Sequence, residues 1–290
     1  MKKQFSFQAG YRGRTIFNIF NILFFIVVMI LMLIPIWKVC VDSVSREVVS
    51  TDITFLPNNF TLEAYKIIFS KETLYHPFWV SIYTTIIGTF LGLMMSTIGA
   101  YILIQNDMPG VRIISWMFMF TMIFNGGLVP TFLVVVQLGL YDTVWGVIIP
   151  LSMNVYNLVL MRSFFEQLPA SLFEAADIDG CTPLGIFIKI VLPLSKPALA
   201  SIGLFFAVAF WSEYFHYVLY VTSNDNNNFQ VKLREMVITD EPIPEAKDAG
   251  LMSETMKNAA IIINVLPFMI IYPFCQKYFV TGITLGAVKE

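Results

Sequence analysis

The chain has 290 residues, of which 57% are hydrophobic and only 13% are charged. A soluble domain carries roughly a quarter charged residues, so this composition argues against an ordinary soluble globular protein. The formal net charge of −2 gives no reason to expect nucleic acid or another strongly charged partner.

Cysteine and histidine are sparse and widely separated along the chain. The three cysteines are Cys40, Cys181 and Cys275, and the two histidines are His76 and His216. Their spacing matches neither a disulfide framework nor a metal-ligand pattern. We therefore expect no disulfide and no metal site in this chain.

Six predominantly uncharged runs are long enough to cross a bilayer, which requires about 20 apolar residues. In chain order they cover residues 15–37, 73–106, 113–141, 143–161, 197–221 and 258–276. The polar N-terminus lacks a small-residue cleavage site, so we predict that the first run is a retained helix and not a signal peptide. The pattern predicts an all-α, polytopic membrane protein with six transmembrane helices.

The distribution of basic residues predicts the orientation of these helices. With the N-terminus inside, the inner segments hold ten basic and six acidic residues, and the outer segments hold eight basic and thirteen acidic residues. Because lysine and arginine favour the cytoplasmic side, both termini are predicted to be cytoplasmic in a multi-pass protein of the cell membrane.

The long connections between runs define the predicted domain organisation. It consists of a cytoplasmic N-terminal segment 1–14, a permease-like domain 15–280 with outer loops 39–72 and 222–257 and an inner loop 162–196, and a cytoplasmic tail 281–290. In the second run, Gly88, Gly92, Ser96 and Ala100 recur every four residues. This spacing places small side chains on one helix face, where another helix can pack closely.

The inner loop contains signals for two short helices joined by a bend. Ser171 and Glu174 have the spacing of a capping box at the first helix. Gly180 stands where a left-handed C-terminal cap is expected, and Thr182 with Pro183 fits the start of a second helix ending near residue 190. Local physics leaves two alternatives open: a helix lying on the membrane surface, or a rigid knob that seats in a groove of another protein.

A single acidic residue, Glu213, interrupts the fifth apolar run and lies close to Trp211 and Tyr214. An acid facing lipid costs about 2.5 kcal/mol or more, so Glu213 is expected to face a polar cavity or a partner helix. A carboxylate among aromatic rings suits sugar hydroxyls and ring stacking. The alternative is an interfacial acid within an ordinary aromatic belt.

The inner loop resembles a known family signature. Glu174-Ala175-Ala176, Gly180, Ile190 and Leu192-Pro193 are similar in identity and spacing to the EAA loop of binding-protein-dependent ABC importer permeases. The resemblance implies the type I ABC importer permease fold and a coupling helix that docks in a separate ATPase. It assigns ATPase coupling to Glu174, Ala175, Ala176, Asp177, Asp179, Gly180, Leu192 and Pro193.

Further segments resemble the carbohydrate-type permeases, and most of all the subgroup serving complex oligosaccharides and polysaccharide fragments. These segments cover residues 124–131, 138–143, 161–165, 191–198 and 272–282. The resemblance implies a substrate path with candidates Glu213, Trp211, Tyr214 and Asn125, although the family normally has Asn or Asp at position 213. The tail is similar to the maltose-type G subunit, which implies ATPase contacts at Gln276, Lys277, Lys289 and Glu290; Glu290 stands where that family usually has Gly.

These patterns lead to one functional expectation. The chain is expected to be a permease subunit of an ATP-driven, binding-protein-dependent importer of oligosaccharides or polysaccharide fragments, and not an enzyme. No phosphate loop of the form G-x-x-x-x-G-K-[ST] occurs, so ATP and magnesium are expected on partner subunits and no cofactor on this chain.

The expected partners are a second, non-identical permease, two ATPase subunits, an extracellular solute-binding protein, membrane lipid and the sugar. Nucleic acid is not expected. The alternatives are the same machine with a peptide or amino acid cargo, a sensory membrane subunit without net transport, and an ion-coupled carrier, which the single acid in the runs favours least.

Overall fold

The computed structural model describes residues 5–48, 54–105, 107–238 and 243–287, and for 5–12 and 274–287 it describes the backbone alone. In these ranges the ordered elements are helices, and extended pairing is limited to an isolated bridge between Ser45 and Phe60. The predicted all-α class is confirmed.

Fifteen α-helices follow one another in the described ranges. They are α1 (Phe5–Asp42), α2 (Glu63–Ser70), α3 (Glu72–Leu103), α4 (Val111–Ile123), α5 (Leu128–Gln137), α6 (Trp145–Ser152), α7 (Val155–Phe165), α8 (Ala170–Ile178), α9 (Pro183–Ile186), α10 (Leu192–Leu194), α11 (Lys196–Trp211), α12 (Phe215–Tyr220), α13 (Phe229–Ile238), α14 (Pro244–Asp248) and α15 (Ser253–Ala287). A π-helical turn, Phe187–Val191, joins α9 to α10, and a 3₁₀ turn covers Asn224–Asn226.

All six predicted spans fall on apolar helices, but three of them are interrupted. By length and composition α1, α3 and α15 each contain a continuous candidate span. The fourth predicted span consists of α6 and α7, which meet at an angle of 41°. The third is divided between α4 and α5, and the fifth between α11 and α12. The interruptions lie at residues 124–127, 153–154 and 212–214, which we call the three helix breaks.

Between Ile22 and Trp37, helix α1 is apolar around its whole circumference, and it lies exposed on the isolated chain. Phe20, Leu23, Leu31 and Met32 are each more than 60% exposed. A helix that is hydrophobic on all sides is stable only against lipid or other protein. Its exposure agrees with a membrane protein.

The chain divides into two compact units, one within Met1–Ile68 and Asp240–Ile263 and one within Phe69–Thr239 and Asn264–Glu290. In the first unit the Thr255 hydroxyl donates to the Ser45 carbonyl oxygen at 2.8 Å, and the Tyr65 hydroxyl donates to the Ser43 hydroxyl at 2.8 Å. These bonds fasten the end of α1 to the segments that follow it in the unit.

In the second unit, α3 packs closely against α11. A Cβ atom added at Gly92 would lie 2.6 Å from Cε1 of Phe206, and Gly88 faces the ring of Phe210 in the same way. Both phenylalanines are 1% exposed. The small-residue face of the second span is therefore a helix-packing surface, as its spacing predicts.

Candidate functional site

The inner loop folds as two helical segments separated by a bend, which we call the elbow (residues 170–194). Gly180 has φ +70°, the left-handed conformation that ends α8. The Thr182 side chain accepts a hydrogen bond from the Gly185 N–H at 3.1 Å, and Pro183 is the first residue of α9. The predicted bend and the predicted second cap are both confirmed.

The predicted capping box at Ser171 and Glu174 is wrong. Helix α8 begins at Ala170, its N-cap residue is Pro169, and no side chain caps it. Pro169 is extended, with ψ 126°, so the helix begins two residues earlier than the serine pattern indicates. Ser171 therefore lies inside the first turn, where its side chain is past the capping position.

The second segment of the elbow also continues beyond its predicted end. After α9 the chain forms the π turn and then α10, and the Leu192 N–H donates to the Phe187 carbonyl oxygen five residues earlier. Pro193 has no N–H and its ring clashes with the carbonyl of a regular α-helix. The wider π turn accommodates the proline without ending the helix.

The elbow is fastened to the membrane helices by buried contacts. The Tyr101 hydroxyl donates to the Pro183 carbonyl oxygen at 2.9 Å, and the Tyr101 and Phe187 ring centroids lie 4.9 Å apart. Ala176 is only 4% exposed and belongs to the same buried cluster as Phe165 on α7. The elbow and the ends of α3, α7 and α11 thus share one core.

The opposite side of the elbow is exposed. Of the residues assigned to ATPase coupling, Glu174, Ala175, Asp177, Asp179, Gly180 and Pro193 are exposed, Leu192 is half-buried and Ala176 is buried. On either side of the bend, Ile178 is 86% exposed and Leu184 is 66% exposed. Apolar side chains exposed this fully at a rigid bend are typical of a protein contact surface. The signature did not mark Ile178 or Leu184.

At each of the three helix breaks, a polar side chain accepts a hydrogen bond from a backbone N–H group. Asn125 Oδ1 accepts from the Gly127 N–H at 2.9 Å and Asn154 Oδ1 from the Asn157 N–H at 3.0 Å. Glu213 Oε1 accepts from the His216 N–H at 2.9 Å. Unsatisfied backbone groups at membrane depth cost several kcal/mol, so these side chains stabilise the interruptions. The sequence reasoning selected Asn125 and Glu213 and missed Asn154.

The third break brings together three of the predicted substrate-path residues. Trp211 is 5% exposed, and its indole N–H donates to the Asn264 carbonyl oxygen at 3.0 Å. The Nδ1 atom of His216 lies 2.9 Å from Glu213 Oε1. The Arg234 guanidinium carbon lies 4.3 Å from the centre of the Tyr214 ring, a cation–π contact. Trp211 thus packs inside the unit, and Tyr214 stands at the more open side of the break.

Asn125 lies at a different break, and within the residues described no hydrogen bond or ring contact joins it to Trp211, Glu213 or Tyr214. A cavity of about 490 Å³ lies between the end of α4 and the second break. Its lining includes Thr121, Met122, Asn154 and Tyr156. The structure therefore places the predicted path residues in separate regions of the unit.

The predicted C-terminal ATPase contacts belong to the last part of the chain, within α15 and beyond its end. Gln276 and Lys277 belong to the backbone of α15, but their side chains lie outside the described part of the chain, as do Lys289 and Glu290 altogether. Their role stays a prediction.

Comparison with known proteins identifies the fold just described. Residues 108–285, more than half of the chain, match the family model of the binding-protein-dependent transport system inner membrane component. The matched region contains the elbow and all three helix breaks. The chain belongs to this family.

The sequences of several relatives align with this permease over most of its length. It is 42% identical over 249 residues to the polygalacturonan/rhamnogalacturonan transport system permease protein YtcP of Bacillus subtilis, covering 84% of this chain and 87% of the relative. It is 38% identical over 280 residues to protein LplC of Bacillus subtilis, covering 94% and 95%. The arabinooligosaccharides transport system permease protein AraQ of Halalkalibacterium halodurans is 28% identical, covering 84% and 86%.

A solved structure shares the permease fold. The chain superposes with a TM-score of 0.87 and 32% identity on a chain from the crystal structure of a bacterial ABC transporter involved in the import of the acidic polysaccharide alginate, covering 92% of this chain and 98% of that one. This permease is accordingly a multi-pass subunit of an ABC importer in the cell membrane, and not an enzyme. Membership of the family implies a partner permease, an ATPase and a solute-binding protein.

Proposed function

We propose that this permease forms half of the translocation pathway of an ATP-driven importer for oligosaccharides or polysaccharide fragments. The observation that carries the proposal is the elbow, which is exposed on one side and joined on the other to the ends of three membrane helices. Such an element transmits the movement of a docked partner into the spans.

The coupling surface consists of Glu174, Ala175 and Gly180 with the exposed side chains of Ile178 and Leu184. The two large apolar side chains flank the bend and lose contact with water when a partner covers them. We infer that two ATPase subunits bind ATP and magnesium and that one of them seats this elbow in a cleft. The other ATPase subunit binds a second, non-identical permease subunit.

The topology proposed for this arrangement has both termini and the elbow in the cytosol, and the solute-binding protein on the outer side. A single cysteine introduced at Ile178, which is 86% exposed, tests it in a variant without the native cysteines. A membrane-impermeant thiol reagent is expected to label this cysteine in inside-out vesicles only. Labelling from the outer face of intact cells would overturn the proposed orientation.

The proposed cargo is a sugar polymer fragment, supported by the names of the relatives. They transport polygalacturonan/rhamnogalacturonan and arabinooligosaccharides, and the structural neighbour imports the acidic polysaccharide alginate. Peptides and amino acids have no such support among them. The Tyr214 ring with Arg234 above it adds an aromatic face and a cation, and both line a cavity of about 240 Å³ with Gln230.

The proposed path is supported by the interruptions in the spans. Non-helical backbone occurs at membrane depth only where protein covers it or where it lines a water-filled cavity. The first break is exposed on the isolated chain at Asn125, Gly126 and Gly127, so lipid is excluded as its neighbour. We infer that the partner permease or the aqueous path covers this break.

Uptake by the whole importer tests the function. The complex is reconstituted in vesicles, with ATP on the side of the ATPase subunits and the binding protein on the opposite side. We expect it to accumulate labelled oligosaccharide on the ATP side only when ATP is present. Accumulation of a peptide instead would support a different cargo. Sugar binding without flux would support a sensory subunit, and either outcome contradicts the proposal.

Variants of Glu213, measured in the same uptake assay, test whether this residue belongs to the translocation path. Glu213→Gln keeps an oxygen that can accept the His216 N–H, whereas Glu213→Ala removes it. We expect normal assembly of both variants, reduced uptake with Gln and a stronger reduction with Ala. Glu235→Gln, an exposed acid paired with Lys232, is the matched control and is expected to transport normally. Unchanged uptake by Glu213→Ala would contradict a role in the path.

A further inference from the structure

A cavity of about 670 Å³ lies where the ends of three membrane helices meet, and none of its lining residues belongs to the elbow or to the helix breaks. Leu103 is the last residue of α3, Arg112 and Trp116 belong to the first turns of α4, and Arg162 lies in the last turn of α7. The second span ends, the third begins and the fourth ends at these residues. The three ends therefore reach the same face of the membrane.

The cavity is lined by two guanidinium groups that have unused donors. Arg112 is exposed, and its guanidinium has no hydrogen-bond or ion-pair partner among the residues that the structure describes. Arg162 donates from Nε to Glu166 Oε1 at 2.8 Å, and within the same described part its terminal nitrogens have no partner. An arginine has five N–H donors, so most of the donor capacity of the pair remains available.

Apart from Ser115, the remaining side chains that line the cavity are apolar. Trp116 is 72% exposed and Met119 is 51% exposed, about one and two turns after Arg112 on α4. Tryptophan is enriched at the boundary between the hydrocarbon core and the headgroups. The order along α4 is thus a cation at the helix start and then an apolar surface directed toward the core of the bilayer.

We propose that this cavity binds an anionic phospholipid, with the phosphate on Arg112 and Arg162 and an acyl chain along Trp116 and Met119. Guanidinium groups bind phosphate oxygens in a bidentate manner. Basic pockets between membrane helices are suited to anionic headgroups. A soluble phosphate would satisfy the arginines but would leave the apolar wall unoccupied, which is why the lipid is the preferred source of the phosphate.

The Glu166 carboxylate competes with the lipid phosphate for the guanidinium of Arg162. The Glu166 carboxylate occupies one donor of Arg162 from one turn further along the chain. Removing this carboxylate frees the whole guanidinium, so Glu166→Gln is expected to bind the lipid as well as or better than the unmodified chain. A variant that breaks the pair from the other side, Arg162→Gln, is expected to bind it more weakly.

Native mass spectrometry of the detergent-purified importer complex, titrated with phosphatidylglycerol or with phosphatidylcholine of the same chain length, tests the proposal. We expect selective retention of phosphatidylglycerol, with affinity reduced about fivefold by Arg112→Gln and by Arg162→Gln. Arg234→Gln removes the same charge from a different part of the unit and is expected to retain the lipid. Size-exclusion chromatography of each complex shows whether the variants assemble.

Equal retention of the two lipids, or retention unaffected by either arginine variant in an assembled complex, would overturn the proposal. A further arm adds inorganic phosphate at concentrations equal to those of the lipid. If inorganic phosphate displaced phosphatidylglycerol completely, the site would be a phosphate site and the assignment to lipid would be wrong. If either arginine variant failed to assemble, Glu166→Gln would still decide, because weakened lipid binding by that variant contradicts the competition described.

Discussion

Asp142 and Ser223 are joined by a hydrogen bond of 2.8 Å from the Ser223 backbone N–H to Asp142 Oδ1. The same oxygen accepts the Thr222 N–H at 2.8 Å, and the Asp142 N–H donates to the Tyr220 carbonyl oxygen at 2.7 Å. Asp142 has φ +59°, a left-handed conformation that aspartate tolerates better than most residues. This carboxylate connects the turn after α5 to the segment that follows α12.

Replacing Asp142 is expected to loosen this connection. Asp142→Ala removes the acceptor and places a residue that disfavours positive φ in the turn, so the thermal midpoint of the detergent-solubilised complex is expected to fall. Asp142→Asn keeps one side-chain oxygen and tolerates the conformation, so its loss is expected to be smaller. Asp225→Ala removes a neighbouring acid and is expected to leave the midpoint unchanged. Equal midpoints for Asp142→Ala and the control would contradict the connection.

The same carboxylate predicts a dependence of stability on pH. The N–H groups of Ser223 and Thr222 hold the pKa of Asp142 below its ordinary value. Because the folded pKa lies below the unfolded one, the ionised group contributes stability above the unfolded value, and the contribution is lost as pH falls through the folded pKa. The difference in thermal midpoint between the unmodified chain and Asp142→Asn is expected to be constant well above the unfolded pKa of aspartate and to shrink as the pH falls below it. A difference that grew with acidification would contradict this assignment.

Tyr101 is expected to fix the elbow to α3. Tyr101→Phe keeps the ring against Phe187 but removes the hydrogen bond to the Pro183 carbonyl oxygen, which is worth about 1 kcal/mol. We expect intact assembly, a modest loss of stability and a lower ratio of sugar transported to ATP hydrolysed. Tyr83→Phe, an exposed tyrosine on the same helix, is the control. If both variants transported with the same ratio, Tyr101 would have a packing role only.

The sequence predicted the class of fold and the bend at Gly180 because hydropathy and glycine positions act locally. It missed what depends on distant residues. Tyr101 is 82 positions from Pro183, and no local pattern links the two. Pro169, and not Ser171, is the N-cap residue of α8, and the π turn continues the helix past Pro193. We attribute both to packing of the elbow on α3 and α7, which outweighs local capping preferences. The break at Asn154 was not predicted because no charged residue interrupts the run 143–161 around it.

The contact between Gly92 and Phe206 is expected to be sensitive to volume. Gly92→Leu forces a side chain into the ring of Phe206, and overpacking of this kind destabilises by about 1–3 kcal/mol. Adding Phe206→Ala to Gly92→Leu is expected to restore part of the loss, which a double-mutant cycle measured by thermal unfolding would detect. Gly13→Leu has open space around its added Cβ and serves as the comparison. Additive effects of Gly92→Leu and Phe206→Ala would contradict direct packing.

Substitutions at Gly180 test the elbow through the backbone conformation, without a steric clash of the added side chain. Beyond Gly180 and its two chain neighbours, no heavy atom of the described residues lies within 4 Å of the position that a Cβ would take, so a substitution acts through φ +70°. Gly180→Val is expected to resist the left-handed conformation at a cost of about 1–2 kcal/mol, whereas Gly180→Asn adopts it more readily. If valine moves the backbone out of this conformation, the bend changes and Ile178 and Leu184 no longer present one surface to the ATPase. We therefore expect Gly180→Val to hydrolyse ATP with little sugar uptake and Gly180→Asn to transport near normally, measured together in reconstituted vesicles. Full transport by the valine variant would mean that the bend does not carry the coupling.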